Sequence, residues 1–126
     1  MKIAQVAPLY ESVPPQLYGG TERVVAYICD ALVELGHDVT LFAAGGAHTK
    51  ARLVAMRDEA IRLDAAPLKS DVAAHLAMLN EVKRRASQFR PEAVIKKERG
   101  HLVQKRALFL RQPNASPQHG NPLLLR

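Results

Sequence analysis

Two adjacent glycines, Gly19 and Gly20, stand directly before an amphipathic segment and are the first candidates for ligand chemistry. Glycine has no Cβ atom, so a backbone built from it can approach an anion closely. The first turn of a helix also carries unpaired N–H donors, which bind phosphate groups. The pair therefore predicts an anion-binding turn, with phosphate as the expected ligand. A tight turn that needs positive φ is the alternative.

Three elements have to position these glycines. Residues 2–7 are mostly apolar and end at Pro8, which predicts a strand covered on both faces. Thr21 can cap a helix that ends near Gly36, and Glu22 puts negative charge at the positive end of its dipole. Apolar residues at helical spacing form one stripe along this helix: Val24, Val25, Ile28, Leu32, Val33 and Leu35.

Residues 38–43 are apolar and β-rich, and predict a second buried strand. Two buried strands joined through a helix imply a parallel pair with a right-handed crossover. Residues 8–20 form a connection longer than the roughly 2–6 residues usual between a strand and a helix. Open parallel sheets bind ligands at the carboxyl ends of their strands, so we expect this loop to meet a ligand.

Further elements are expected along the chain. Residues 51–56 predict a short third strand, and Ser70 can cap a second helix that Pro91 stops. The apolar face expected for this helix consists of Val72, Leu76, Leu79, Val82, Ala86 and Phe89. His75 falls beside that face, as a partly exposed helix residue. Residues 92–95 could begin a strand that the following charges cut short, and residues 102–111 are compatible with a basic helix.

Charge divides the chain unevenly. The 126 residues carry a net charge of +6, with −3 in residues 1–82 and +9 in residues 83–126. This shift predicts a boundary near Phe89, between a domain at 1–89 and a basic tail at 90–126 that is irregular, helical or disordered. An apolar content of 48% is enough for one core.

Several classes of protein are excluded or disfavoured. Cys29 is the only cysteine, so an internal disulfide is impossible, and we expect a buried structural thiol rather than a nucleophile. No apolar run is long enough for a membrane span, and the N-terminus lacks the pattern of a signal peptide, so we expect a cytoplasmic protein. The five histidines are scattered, which predicts no metal site.

The first 46 residues resemble the start of a bacterial family 4 glycosyltransferase. The first strand, the Pro- and Gly-rich loop ending in YGGTE, the helix and the strand LGHDVTLFA match in order and spacing, and a weaker match runs to Phe89. This resemblance implies the GT-B architecture, in which two Rossmann-like domains face each other across a cleft. The fold expected here is therefore α/β, an incomplete Rossmann-like β-α-β domain with parallel strands.

The resemblance also implies a function and its residues. In this family the N-terminal domain mainly receives the acceptor, and its glycine loop reaches the diphosphate of a nucleotide-sugar donor. That implies a donor-phosphate site at Gly19, Gly20, Thr21 and Glu22. Acceptor contacts are expected from loop side chains: Tyr10, Glu11 and Tyr18. The expected partners are a nucleotide sugar, a sugar or glycan acceptor and a separate donor-binding domain, with no cofactor.

The chain also departs from the family pattern. After Phe89 the sequence RPEAVIKKERG does not read as the family's next strand, and His119-Gly120 only echoes its functional histidine motif. The donor-binding domain, with its paired glutamates, is not found in the sequence. We therefore expect a truncated glycosyltransferase with an unrelated or frame-shifted basic end, inactive alone and without a catalytic residue of its own.

Two other functions remain open at this point. A dinucleotide-binding module would need G-x-G-x-x-G after the first strand and an acidic residue after the second, and neither is present. Non-specific nucleic-acid binding could use the eleven cations of residues 83–126. Phe109 is the one aromatic residue after Phe89, so the tail offers no stacking platform and we do not expect this second function.

Overall fold

Five strands form one sheet, with a helix against each of its faces. The structure, a computed structural model, describes residues 1–66, 70–89, 93–98 and 101–106. Along the chain its elements are β1 (Lys2–Val6), α1 (Gly20–Glu34), β2 (Asp38–Ala43), β3 (Arg52–Ala55), α2 (Asp71–Phe89), β4 (Ala93–Glu98) and β5 (His101–Arg106). The strand order is β3-β2-β1-β4-β5. The first four strands are parallel, and β5 is antiparallel to β4.

The expected β-α-β unit is confirmed. Val6 of β1 pairs with Phe42 of β2 in a parallel register, and α1 connects the two strands. Alternate residues of β1 point to opposite faces, as the two-residue period of a strand requires. Ile3 packs with α1 residues in one buried cluster, and Ala4 packs with α2 residues in a second. The sheet is therefore covered on both faces.

The C-terminal end of α1 agrees with the prediction, and its N-terminal end does not. Gly36 has φ +85° and follows the helix, as predicted. The Gly36 N–H donates to the Val33 carbonyl oxygen at 2.9 Å, and the next N–H donates to the Leu32 carbonyl oxygen at 3.0 Å, which is a Schellman ending. Thr21 is not the N-cap, because the helix already begins at Gly20 and Gly19 occupies the capping position.

The buried face of α1 is rotated from the predicted stripe. Val25, Ala26 and Cys29 are buried, whereas Val24 and Leu35 are exposed. The side that packs on the sheet thus includes the small residues Ala26 and Cys29, which the predicted stripe did not contain. Cys29 is fully buried, as expected for a structural thiol.

The buried face of α2 also differs from the prediction, although its N-terminal cap does not. Ser70 caps it as predicted, since its hydroxyl oxygen accepts from the Ala73 N–H at 3.2 Å. Among the six residues of the expected apolar face, the structure buries Val82 and Ala86 but leaves Val72, Leu76 and Leu79 exposed. Met78, which is not among those six residues, is 2% exposed and packs against the sheet.

The chain after Phe89 also differs from the expectation. Residues 93–98 form β4, which pairs with β1 in parallel, although the sequence after Phe89 did not read as the family's next strand. Residues 101–106 form β5, where a basic helix was expected. Both strands extend the main sheet, and the division at residue 89 stays a prediction. Pro91, His119 and residues 107–126 lie outside the described residues.

Within residues 1–66, 70–89, 93–98 and 101–106, neither helix is long and apolar enough to cross a bilayer.

Two backbone segments approach each other closely just after β2, so one added methyl group there should lower the stability of the fold. The Gly45 N–H donates to the Arg57 carbonyl oxygen at 2.8 Å, and a Cβ at Gly45 would lie 2.0 Å from the carbonyl oxygen of Asp58. We expect Gly45→Ala to lower the free energy of unfolding by about 2–3 kcal/mol, because backbone must move to accept it. Urea unfolding followed by circular dichroism measures this loss.

Gly20→Ala is the matched control for that substitution. A Cβ at Gly20 meets no atom within 4 Å, and alanine favours a helix over glycine by about 1 kcal/mol. The control should therefore be as stable as the parent protein or slightly more stable. Equal stability of the two variants would contradict the close approach at Gly45.

The thiol of Cys29 should be inert in the folded protein. Burial, and secondly the charge of Asp30, raise the pKa of Cys29 to about 12, so that the thiol stays protonated at pH 8. Because the thiolate is the reactive form, we expect labelling by Ellman's reagent at least about 100-fold slower than for the urea-unfolded chain. Fast labelling of the native protein would show that α1 does not bury this thiol against the sheet.

Candidate functional site

A groove of about 670 Å³ opens at the carboxyl end of β1. One wall contains the loop of residues 8–20 and the start of α1, and the opposite wall is the first half of α2. The polar side is formed by Tyr10, Tyr18, Gly19, Gly20, Thr21, Glu22 and Arg62. The apolar side is formed by Val72, Leu76, Met78 and Leu79. A smaller cavity of about 140 Å³, which includes Lys2 and Asp38, lies at the opposite edge of the sheet.

The two glycines lie where the groove meets the helix. Gly19 has φ −171° and ψ 90°, an extended conformation, and among the described glycines positive φ occurs only at Gly36 and Gly46. A turn that needs positive φ is therefore not the reason for the pair. Gly19 is required for space, because a Cβ there would lie 2.5 Å from Oε2 of Glu22 and 3.0 Å from Cβ of Pro15.

Gly20 differs from its neighbour in exposure. It is exposed, and a Cβ built on it would meet nothing within 4 Å. As the first residue of α1 it has an N–H that the helix itself does not use. Thr21 follows it and is partly exposed in the groove. The helix therefore presents its N-terminal backbone toward the groove, with Gly20 as its most open residue.

Glu22 brings a negative charge to the same place. It is the third residue of α1, only 5% exposed, and its carboxylate lies against Gly19. The positive end of the helix dipole stabilises this charge. The same carboxylate repels an approaching anion, so a phosphate at Gly20 would need a nearby cation.

Arg62 provides a cation on the polar wall. Its Nη1 donates to the Tyr18 carbonyl oxygen at 3.0 Å, and its guanidinium lies 5.7 Å from the ring centroid of Tyr10. Its own backbone N–H donates to the Tyr10 carbonyl oxygen at 3.0 Å. Arg62 was not among the predicted site residues. Its distance from the glycines in sequence gave no signal that the fold brings it to the loop.

The three residues expected to contact an acceptor separate into two groups. Tyr10 and Tyr18 line the groove, and Tyr18 is 83% exposed. Glu11 does not line it, since its side chain is fully buried and its Oε2 accepts from the Gln16 N–H at 3.3 Å. Glu11 thus shapes the loop from inside, whereas both tyrosines line the groove and Tyr18 is exposed there.

A hydrogen-bonded set joins the two walls of the groove. The Tyr10 hydroxyl donates to Oδ2 of Asp71 at 2.6 Å, and this bond, followed by that from the Val72 N–H, lowers the pKa of the Asp71 carboxyl below its usual range. His75 lies beside Tyr10, with ring centroids 5.0 Å apart. Asp71 and His75 were not among the predicted site residues.

Metal chemistry finds no support among the described residues. In that part of the chain, no three His, Cys, Asp or Glu side chains are grouped as a cation would require. What the groove can do is bind: it offers backbone donors, one guanidinium, two phenol rings and an apolar wall.

Comparison with known proteins gives the family. The model of Glycosyltransferase Family 4 matches residues 18–121. The match includes the glycines, both helices and residues 90–121, which we had expected to depart from the family pattern. A search of curated proteins returned no significant match. Because the family match covers most of the 126 residues, the chain belongs to glycosyltransferase family 4.

Proposed function

We propose that this domain forms the acceptor side of a glycosyltransferase cleft and presents its helix N-terminus to the diphosphate of a nucleotide-sugar donor. The observation that carries the proposal is the shared groove. Four residues assigned to the donor phosphates and two assigned to the acceptor line one continuous surface at the carboxyl end of β1. Family membership supplies the reaction class.

The donor side of the proposal rests on backbone and charge. Transfer of a sugar leaves a nucleoside diphosphate, whose growing negative charge needs fixed donors nearby. The open N–H of Gly20 and the guanidinium of Arg62 are such groups on the polar wall. The negative charge of Glu22 opposes anion binding at the same place. An isolated phosphate is therefore disfavoured relative to an extended diphosphate that also contacts other groups.

The acceptor side rests on the two tyrosines and the opposite wall. Tyrosine rings pack against the faces of sugar rings and keep a hydroxyl for hydrogen bonding. The exposed side chains of Val72 and Leu76 lie across the groove from them. An acceptor with both hydroxyl groups and an apolar portion would satisfy both walls. We propose this class in preference to a small, fully polar sugar.

A complete active site in this proposal needs a second domain. The groove forms one side of a cleft and is open to solvent on the other side. A separate donor-binding domain would enclose the nucleotide and exclude water. The 126-residue chain then contributes binding and orientation, and chemistry occurs only when the partner domain closes over the groove.

Binding at the glycines is tested by NMR titration with uridine, guanosine and adenosine diphosphates. We expect the amide resonances of Gly20 and Thr21 to shift with a dissociation constant on the order of millimolar, which corresponds to about −4 kcal/mol. Amides at the amino end of the sheet, such as that of Thr40, are the internal control. Shifts confined to that edge, or absent with all three compounds, would contradict the proposed donor site.

Turnover by the chain alone should be absent. We expect no sugar release or transfer above background when this chain is incubated with a panel of nucleotide sugars, because the groove contacts a donor from one side and does not enclose it. The assay follows free sugar and nucleoside diphosphate by chromatography. Release above background would overturn the requirement for a second domain.

Two charge substitutions test the electrostatic argument. Glu22→Gln removes the like charge beside the helix N-terminus, so we expect a roughly three- to tenfold gain in nucleoside diphosphate affinity. Arg62→Gln removes the attracting charge and should weaken binding by a similar factor. Both are measured by the same titration at one ionic strength. Identical effects of the two substitutions would mean that the diphosphate binds elsewhere.

A further inference from the structure

His75 makes two hydrogen bonds that together fix its protonation state. Its Nε2 lies 3.2 Å from the backbone nitrogen of Leu9, and its Nδ1 lies 2.7 Å from the backbone oxygen of Asp71. An amide N–H can only donate, so Nε2 must accept. A carbonyl oxygen can only accept, so Nδ1 must carry the proton. The neutral imidazole protonated at Nδ1 satisfies both contacts.

These bonds connect the two walls of the groove. Leu9 begins the loop after β1, whereas His75 belongs to α2, which carries the apolar wall. The other side of the same loop segment is held by residues 61–62. The Ile61 N–H donates to the Leu9 carbonyl oxygen at 2.9 Å. The first residues of the loop are thus fixed between two segments, and His75 supplies the contact from the helix.

A second proton on the imidazole removes the contact with the loop. With both ring nitrogens protonated, the Nε2–H would point at the N–H of Leu9, and two donors cannot bond to each other. Leu9 is only 1% exposed, so its N–H would lose its partner without gaining ready access to water. Opening of the loop relieves this cost.

Two groups of opposite charge lie around the imidazole. Asp71, on the same helix, is an anion whose carboxylate accepts from the Tyr10 hydroxyl. Arg62, from the segment across the loop, is a cation that lies over the Tyr10 ring. The Tyr10 ring, 5.0 Å from the imidazole, contacts both of these charged groups.

We propose that His75 is a positioning residue, which in its neutral form holds the start of the loop against α2 and releases it on protonation. The groove then has a fixed width at neutral pH and a mobile polar wall in mild acid. Histidine is the side chain whose charge changes between pH 5 and 8, so this range is the relevant one. No nucleotide or acceptor takes part, and the proposal stands or falls separately from sugar transfer.

Hydrogen exchange of the Leu9 amide tests the proposal, with exchange of the Cys29 amide in α1 as an internal reference. In the parent protein we expect the protection of Leu9 relative to Cys29 to fall at least about tenfold from pH 8 to pH 5, since an opening that costs 1.4 kcal/mol less is ten times more populated. The change should follow the titration of the His75 ring resonances.

Two variants separate positioning from simple packing. His75→Gln keeps an acceptor for the Leu9 N–H without a titrating group. We therefore expect the Leu9 amide to be protected at pH 8 as in the parent protein, and its protection to be independent of pH. His75→Phe keeps the ring but removes the acceptor, and Leu9 should be poorly protected at both pH values. Nitrogen-15 shifts of the imidazole should place the proton on Nδ1 at pH 8.

Three results would overturn the proposal. They are a Leu9-to-Cys29 protection ratio that is constant with pH in the parent protein, the same pH dependence in His75→Gln, or a proton on Nε2 at pH 8. Acid unfolding of the whole domain would lower the protection of the Leu9 and Cys29 amides together. The ratio of the two would then be unchanged, which counts against the proposal as well.

Discussion

The loop after β1 is held because its apolar side chains enter the core on both sides of the sheet. Leu9 packs into the cluster beneath α2, and Val13 packs into the cluster beneath α1. Burial of each such side chain contributes about 1.5–3 kcal/mol. The His48 N–H donates to the Val13 carbonyl oxygen at 2.7 Å, which adds a backbone anchor. A connection of this length can therefore hold a defined shape at the edge of the sheet.

That anchoring decides where the polar groups of the groove lie. A side chain at Gly19 would displace the Glu22 carboxylate and crowd Pro15, so the loop and the first turn of α1 form one packed unit. Arg62 and Tyr10 are then brought together by backbone hydrogen bonds between residues 61–62 and the loop. The helix N-terminus attracts anions and Glu22 repels them. The balance between them, rather than the glycine pair alone, sets what this end of the groove can bind.

The apolar wall explains an error made from the sequence. Helical spacing in α2 gave a broad stripe, and we expected all of it to form one apolar face. The structure divides it: Val82 and Ala86 cover the sheet, whereas Val72, Leu76 and Leu79 face the groove. Helical spacing of apolar residues identifies an apolar face. It does not distinguish a face that packs in the core from one that lines a ligand-binding groove. The surplus of apolar residues over what the sheet needs was itself a signal of a site.

The strands after Phe89 show a second limit of sequence reasoning. Charged residues argued against a strand at 93–98, yet β4 pairs with β1 there. Strand propensity depends on the neighbours that a segment meets, and those neighbours are known only once the sheet is assembled. Residues 101–106 pair with β4 for the same reason, where isolated propensity had favoured a helix.

The sequence by itself determined the β-α-β unit, the Schellman ending at Gly36, the Ser70 cap and the place of the glycines at a helix N-terminus. These features depend on residue spacing and on local backbone chemistry, so residues that are close in the sequence are enough to predict them. Only the tertiary structure decided that Glu11 is buried, that Gly19 rather than Thr21 precedes the helix, and that Arg62, Asp71 and His75 join Tyr10. Such contacts join residues far apart in the chain, and their geometry exists only after the sheet and both helices have packed.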